Sequence, residues 1–154
     1  MTQLHEWSHS DDFASYKGVK VLASLWEQEF WPYEELLQSV AVPGTRVFWT
    51  SPDSNSVTML MTSFLLVRET DAEAEVFFMF TPPAFRGQGL ARKLLQFALE
   101  DWTRGGRIGQ CFLEVRPSNT AAIAIYEHNG FKMIQRRKKY YRDGEDALIY
   151  EWVS

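Results

Sequence analysis

The sequence predicts a mixed α/β domain, with a central mixed and mostly antiparallel sheet flanked by helices. Three observations point there. The 154-residue chain suits a single domain spanning 1–154 and leaves little room for two. Short runs of β-branched and large apolar residues recur between turn-forming clusters such as Pro43-Gly44, Thr81-Pro82-Pro83, Gly105-Gly106 and Asp143-Gly144. Between some of them lie segments with apolar residues three or four apart, the period of a helix that buries one face.

The elements follow in order. Residues 18–30 read as a helix with Val21, Leu22, Leu25 and Trp26 on one stripe, broken at Trp31 by Pro32. A short second helix is expected over 34–40, then strands over 47–50 and 57–67. Residues 75–80 are an apolar strand. After a short loop, 90–102 read as a helix, with Leu90, Leu94, Phe97 and Ala98 on its inner face and a stop at Arg104-Gly105-Gly106. A strand over 110–115 precedes a helix over 120–128, capped by Ser118 or Asn119 and ended by Gly130. Two strands, 131–141 and 147–153, close the chain around Asp143-Gly144. The first ten residues are polar, are assigned no element, and lack the basic start and apolar stretch of a signal peptide.

Composition narrows the function. With 45% hydrophobic and 23% charged residues the chain is expected to fold. Its net charge of −4 argues against nucleic acid as the main partner and suits a cationic amine better. The single cysteine, Cys111, precludes an intramolecular disulfide, and no apolar run approaches the roughly 18 residues needed to span a membrane. A cytoplasmic protein without a membrane partner is the expectation. His5, His9 and His128 have no metal-ligand spacing, so no metal is expected.

The loop Arg86-Gly87-Gln88-Gly89-Leu90-Ala91 lies between a predicted strand and a predicted helix. Its glycines let the backbone turn sharply and approach a ligand, and the free N–H groups of the following helix favour an anion. The loop lacks the Gly-Lys-Ser/Thr of a Walker loop, and Arg92 stands where a Rossmann fingerprint needs Gly or Ala. Arg86, Gly89 and Ala91 instead fit the Arg/Gln-x-x-Gly-x-Gly/Ala motif, and the chain resembles the GNAT superfamily of N-acetyltransferases there. Residues 113–131, from Leu113-Glu114-Val115-Arg116 through Ser118-Asn119 and Tyr126 to Gly130-Phe131, resemble in particular the bacterial ribosomal-protein alanine N-acetyltransferases. So does the stretch Arg136 to Tyr141 followed by Glu145-Asp146-Ala147. The strong resemblance covers about 75–154; before that it is loose and centres on Phe30-Trp31-Pro32.

The resemblance implies the GNAT fold and an acetyl-CoA-dependent transfer to an amine by direct attack in a ternary complex. It implies Glu114 as general base, Tyr126 as the acid that protonates the leaving thiolate, and Asn119 as a cofactor contact. Backbone groups of Met79, Phe80 and Thr81 would pair with the pantetheine arm. Arg86, Gly87, Gln88, Gly89, Leu90, Ala91 and Arg92 would hold the pyrophosphate. Trp31, Tyr33, Tyr140 and Tyr141 would wall the acceptor, which the resemblance implies to be a protein N-terminal α-amine, a ribosomal protein's among the candidates. A lysine or small-molecule amine shares the same chemistry, and a non-catalytic acyl-CoA sensor would keep the loop without needing Glu114 and Tyr126. One departure is Thr81-Pro82-Pro83, where the family commonly has Asp before the second proline; Pro82 has no N–H to donate.

The residue types make chemical sense by themselves. An α-amine has a pKa near 8, so roughly a tenth is neutral at pH 7, and a carboxylate assists loss of its proton. Strand alternation sets Glu114 opposite Leu113 and Val115, free to face a cleft. A phenol at Tyr126 is a proton donor for sulfur. A backbone N–H of the 75–81 strand is the natural partner for the developing oxyanion. Cys111 falls on the buried face and is expected to be a small core residue, not a nucleophile. Alternation likewise divides Arg136 to Lys139 between two faces, as in a solvated hairpin.

Overall fold

The computed structural model describes residues 2–8, 33–52 and 61–154. The helix expected over 18–30, Trp31 and the start of the strand expected over 57–67 lie outside the described residues. The elements are β1 (Gln3–Ser8), α1 (Tyr33–Val40), β2 (Thr45–Ser51), β3 (Ser63–Glu69), β4 (Glu73–Phe80), α2 (Leu90–Gly105), β5 (Gln110–Val115), α3 (Thr120–His128), β6 (Lys132–Arg137) and β7 (Ala147–Val153), with a 3-10 turn at Pro83–Phe85. The strands form one sheet in the order β1-β2-β3-β4-β5-β7-β6. Among the described strands only β4 and β5 pair in parallel, because α2 carries the chain back between them. This is the mixed, mostly antiparallel sheet that the sequence predicts.

Both faces of the sheet are covered. Phe48, Leu65, Val67 and Val76 pack against Leu94, Leu95, Ala98, Leu99 and Trp102 of α2. Val47, Trp49, Phe64 and Leu66 pack on the other side against Leu36 and Val40 of α1. Strands β2 and β3 are therefore buried on both sides, and Phe64-Leu65-Leu66-Val67 shows no alternation. At roughly 1.5–3 kcal/mol per fully buried large side chain, Leu94 and Leu95 hold α2 in place. A polar network fixes its far end. Arg46 Nη1 lies 2.6 Å from Glu69 Oε1 and its Nη2 2.9 Å from Asp101 Oδ2, while Trp102 Nε1 donates to Glu69 at 2.5 Å.

Four expectations need correction. The polar N-terminus forms β1, whose hydrogen bonds come from full pairing with β2 and whose single deep anchor is Trp7. The stripe on α2 includes Leu95, and Phe97 is partly exposed, in a T-shaped contact with Phe48. Helix α2 runs through Gly105, because Gly106 takes the left-handed cap at φ 60°. The strand expected over 131–141 ends at Arg137. Lys139 adopts φ 52°, incompatible with a strand, and its N–H donates to Asp146 Oδ1 at 2.8 Å.

The feature that prepares a site is the divergence of β4 and β5. They pair only over Glu73–Val76 and Gln110–Leu113. Opposite Leu66 and Val67 the register of β4 jumps from Phe78 to Val76, so Phe77 is an extra, bulged residue. A bulge bends and twists its strand. Beyond it β4 stays paired with β3, while its other edge, from Phe77 to Phe80, leaves β5 and opens a wedge in the sheet.

Candidate active site

A cleft of about 680 Å³ lies at the mouth of this wedge. Three elements build it. The end of β4 contributes Met79, Phe80 and Thr81, with one backbone edge unpaired by β5. The turn into α2 contributes Phe85, Arg86, Gly87 and Gly89 to Arg92 without Gln88. The start of α3 contributes Asn119, Ala121, Ala122 and Ile125.

The loop geometry explains its glycines. Gly87 and Gly89 sit at φ 74° and 72°, in the left-handed region that side chains disfavour. An added Cβ at either would meet nothing within 4 Å, so it is conformation and not crowding that selects glycine. Gly89 is the residue before α2, which directs the unpaired first N–H groups of that helix toward the cleft. Arg86 Nε donates to Thr81 O at 2.9 Å, tying the loop to the end of β4. Pro82 is buried, and its carbonyl accepts the Phe85 N–H at 2.9 Å to start the 3-10 turn.

Asn119, not Ser118, caps α3: its Oδ1 accepts the Ala122 N–H at 3.2 Å. Asn119 also lines the cleft. The small Ala121 and Ala122 let α3 stand close to the cleft. The sequence marks them only as an Ala-rich helix face, and neither they nor Phe85 were expected at the site.

The two expected catalytic side chains stand beside the cleft and do not line it. Glu114 projects from β5 on the face opposite Leu113 and Val115, which are buried under α2 and α3. Arg137 forms an ion pair with Glu114, and a hydrogen bond to the same carboxylate pushes the Tyr140 hydroxyl pKa up. Glu114 is the first residue of β5 beyond its pairing with β4, so it stands where the wedge opens. Glu75, on the neighbouring strand, was not anticipated; burial first, and then the nearby Glu114, push its carboxyl pKa up. Tyr126 is buried and packs on Phe131 with ring centroids 5.9 Å apart. Burial raises its phenol pKa, with smaller effects from Cys111 and Tyr141, so it holds its proton throughout the neutral range.

Tyr140 and Tyr141 sit in the loop after β6, edge to face at 5.3 Å. Tyr33 begins α1; its side chain, like Trp31, lies outside the described residues. Cys111 is fully buried, and its thiol pKa is pushed well up by desolvation. Arg136 and Arg137 do part to different partners, Asp146 and Glu114.

Known proteins share this fold. The model of the acetyltransferase (GNAT) family matches residues 22–131. This chain belongs to the GNAT acetyltransferase family. Within the family, it is 42% identical over 83 residues to the N-alpha-acetyltransferase RimI of Mycobacterium tuberculosis, covering 53% of this chain and 50% of the relative. It is 39% identical over 92 residues to the ribosomal protein bS18-alanine N-acetyltransferase of Escherichia coli K12, covering 58% and 62%. The aligned stretches thus span one half to about three fifths of these curated relatives. The crystal structure of the ribosomal-protein-S18-alanine N-acetyltransferase from Escherichia coli superposes with a TM-score of 0.81 at 26% identity, covering 99% of this chain and 94% of that one. The wedge, the glycine turn and α3 are thus parts of a GNAT fold.

Proposed function

We propose that this chain is an N-acetyltransferase that moves the acetyl group of acetyl-CoA onto a protein or peptide N-terminal α-amine. The observation that carries the reading is the wedge, which opens between the end of β4 that lines a cleft suited to a long phosphorylated thioester and the strand that carries the Glu114 carboxylate. The fit to acetyl-CoA is chemical. The turn at Gly87 and Gly89, the α2 N-terminus and Arg92 suit the pyrophosphate. The edge of β4 that parts from β5 beyond Val76, reaching Met79, Phe80 and Thr81, suits the amide groups of the pantetheine arm, which would add to it as a strand does. When bound, acetyl-CoA supplies an activated acyl carbon and a thiolate leaving group.

The chain's own residues then have distinct tasks. Glu114, held by Arg137, takes the proton of the acceptor ammonium, directly or through one water, leaving a free amine for direct attack in a ternary complex. A backbone N–H of β4, beyond its pairing with β5, faces the developing oxyanion. Tyr126, kept protonated by burial, gives its proton to the departing sulfur. Tyr140 and Tyr141 wall the acceptor. The Escherichia coli and Mycobacterium tuberculosis relatives are named for ribosomal-protein alanine or N-alpha acetylation, which supports an α-amine over a lysine and is the ground for proposing a cytoplasmic ribosomal protein among the acceptors.

Thiol release from acetyl-CoA tests this with three acceptors: peptides with free N-termini, the same peptides N-terminally blocked but carrying lysine, and polyamines. Turnover confined to free N-termini is expected, with Glu114→Gln and Tyr126→Phe each lowering kcat about 10²-fold or more. Full turnover by both variants refutes the catalytic roles. Preference for lysine or polyamine refutes the acceptor.

A further inference from the structure

We propose that Arg116 is a positioning residue, clasping the loop that carries Tyr140 and Tyr141 onto the turn that carries Asn119, so that the acceptor wall is built on the cofactor wall. The roles of these walls rest on the function proposed above; the clasp itself is a matter of geometry. Arg116 stands two residues after Glu114, at the end of β5. Its Nη1 lies 2.8 Å from Asp143 Oδ2 and 2.8 Å from Glu145 Oε2. Its guanidinium carbon lies 3.8 Å from the centre of the Tyr141 ring. The other oxygen of Glu145 accepts the Ser118 N–H at 2.9 Å. Glu145 is thus held from both sides by the 116–119 turn.

The main chain of the same residue serves the other wall. Arg116 O accepts the Asn119 N–H at 3.0 Å, setting the residue that caps α3 and lines the cleft. One residue therefore fixes Asn119 through its carbonyl and Tyr141 through its side chain. The loop beyond the β6–β7 ladder is otherwise folded largely on itself, with Tyr141 N–H donating to Glu145 O and Gly144 N–H to Tyr141 O. Its stations matter: Tyr140 reaches Glu114, and Tyr141 is an electrostatic neighbour of Tyr126. Releasing the clasp leaves both catalytic groups in place but lets their aromatic cover drift. Planarity is part of the design, because a guanidinium can stack on a ring while bonding carboxylates at its edge, and an ammonium cannot.

The test compares wild type with Arg116→Gln, Arg116→Lys and Glu145→Gln by steady-state kinetics on a free-N-terminal peptide, acetyl-CoA titration, and hydrogen exchange of the loop amides. Arg116→Gln is expected to raise peptide KM roughly fivefold, equivalent to about 1 kcal/mol for a half-exposed clasp, with kcat and acetyl-CoA Kd within about twofold. Arg116→Lys recovers part of that loss, and Glu145→Gln reproduces it. The Tyr141 and Gly144 amides exchange faster in Arg116→Gln. Unchanged peptide KM overturns the proposal, and so does a joint fall of kcat, acetyl-CoA affinity and Tm, which marks a purely structural residue. If wild type acetylates no peptide, the acceptor reading has failed by itself; exchange still decides the clasp, and unaltered rates at Tyr141 and Gly144 refute it.

Discussion

Gly44 and Gly89 both have a positive φ and are expected to answer the same substitution differently. Their φ angles are 82° and 72°, where an L residue costs roughly 1–2 kcal/mol. Replacing glycine by alanine also stiffens the unfolded chain, returning about 0.4–1 kcal/mol. At Gly89 nothing lies within 4 Å of the new Cβ, so about 1 kcal/mol is the whole cost to folding. At Gly44 the Cβ would stand 2.2 Å from the Glu69 carbonyl oxygen, a backbone atom. Relieving that contact strains the hydrogen bond from Glu69 N–H to Gly44 O, now 2.8 Å, and disturbs the side chain that Arg46 and Trp102 both hold. Gly44→Ala is expected to cost about 3–5 kcal/mol by urea denaturation. Ligand binding separates them in the opposite sense. Gly89 lines the cleft, so Gly89→Ala is expected to weaken acetyl-CoA binding by calorimetry roughly tenfold, about 1.4 kcal/mol. Folded Gly44→Ala binds as wild type does. Equal destabilisation by the two changes, or undiminished acetyl-CoA binding by Gly89→Ala, refutes the reasoning.

Other perturbations probe the frame and the cap. Arg46→Met takes from the mostly buried Glu69 carboxylate the nearer of its two cations, leaving Arg107 at 4.0 Å, and is expected to cost about 2–4 kcal/mol in denaturant unfolding. Asn119→Ala removes the cap of α3, costing about 1 kcal/mol, and raises acetyl-CoA KM; Asn119→Asp keeps an acceptor oxygen and so restores stability but not KM. His5 stacks on Trp49 at 5.3 Å, and burial lowers its pKa below 6.5. The folded state thus favours the neutral ring, so this contribution is intact above pH 6.5 and is lost as pH falls through the depressed folded value. Urea midpoints are expected to drop over that window in wild type and to drop less in His5→Gln.

Much of the second half of the molecule is legible in its sequence, because local rules and tertiary structure agree there. The alternation of Gln110–Val115, the Asn cap of α3 and the glycines before α2 each have one physical meaning, and the structure uses it. Strand β1 was not legible: Gln3–Ser8 carries little apolar signal, and its identity as a strand comes from β2. The end of β6 was set by Asp146, nine residues downstream of Arg137, which no local pattern reveals. The site divides the same way. The cleft-lining glycines and Asn119 belong to recognisable motifs. The wedge arises from a bulge at Phe77 that only pairing with β3 exposes, and the partners of Glu114 and Tyr141, Arg137 and Arg116, lie on other elements.

The central claim is that acetyl-CoA in the cleft delivers its acetyl group through the wedge to an α-amine. Its most direct test is tandem mass spectrometry of a peptide bearing both a free N-terminus and an internal lysine after incubation with the protein and acetyl-CoA. The acetyl group is predicted on the α-nitrogen, with Glu114→Gln forming far less of the same product. Acetyl on the lysine side chain, or no acetylated peptide under conditions where acetyl-CoA binds, contradicts the account.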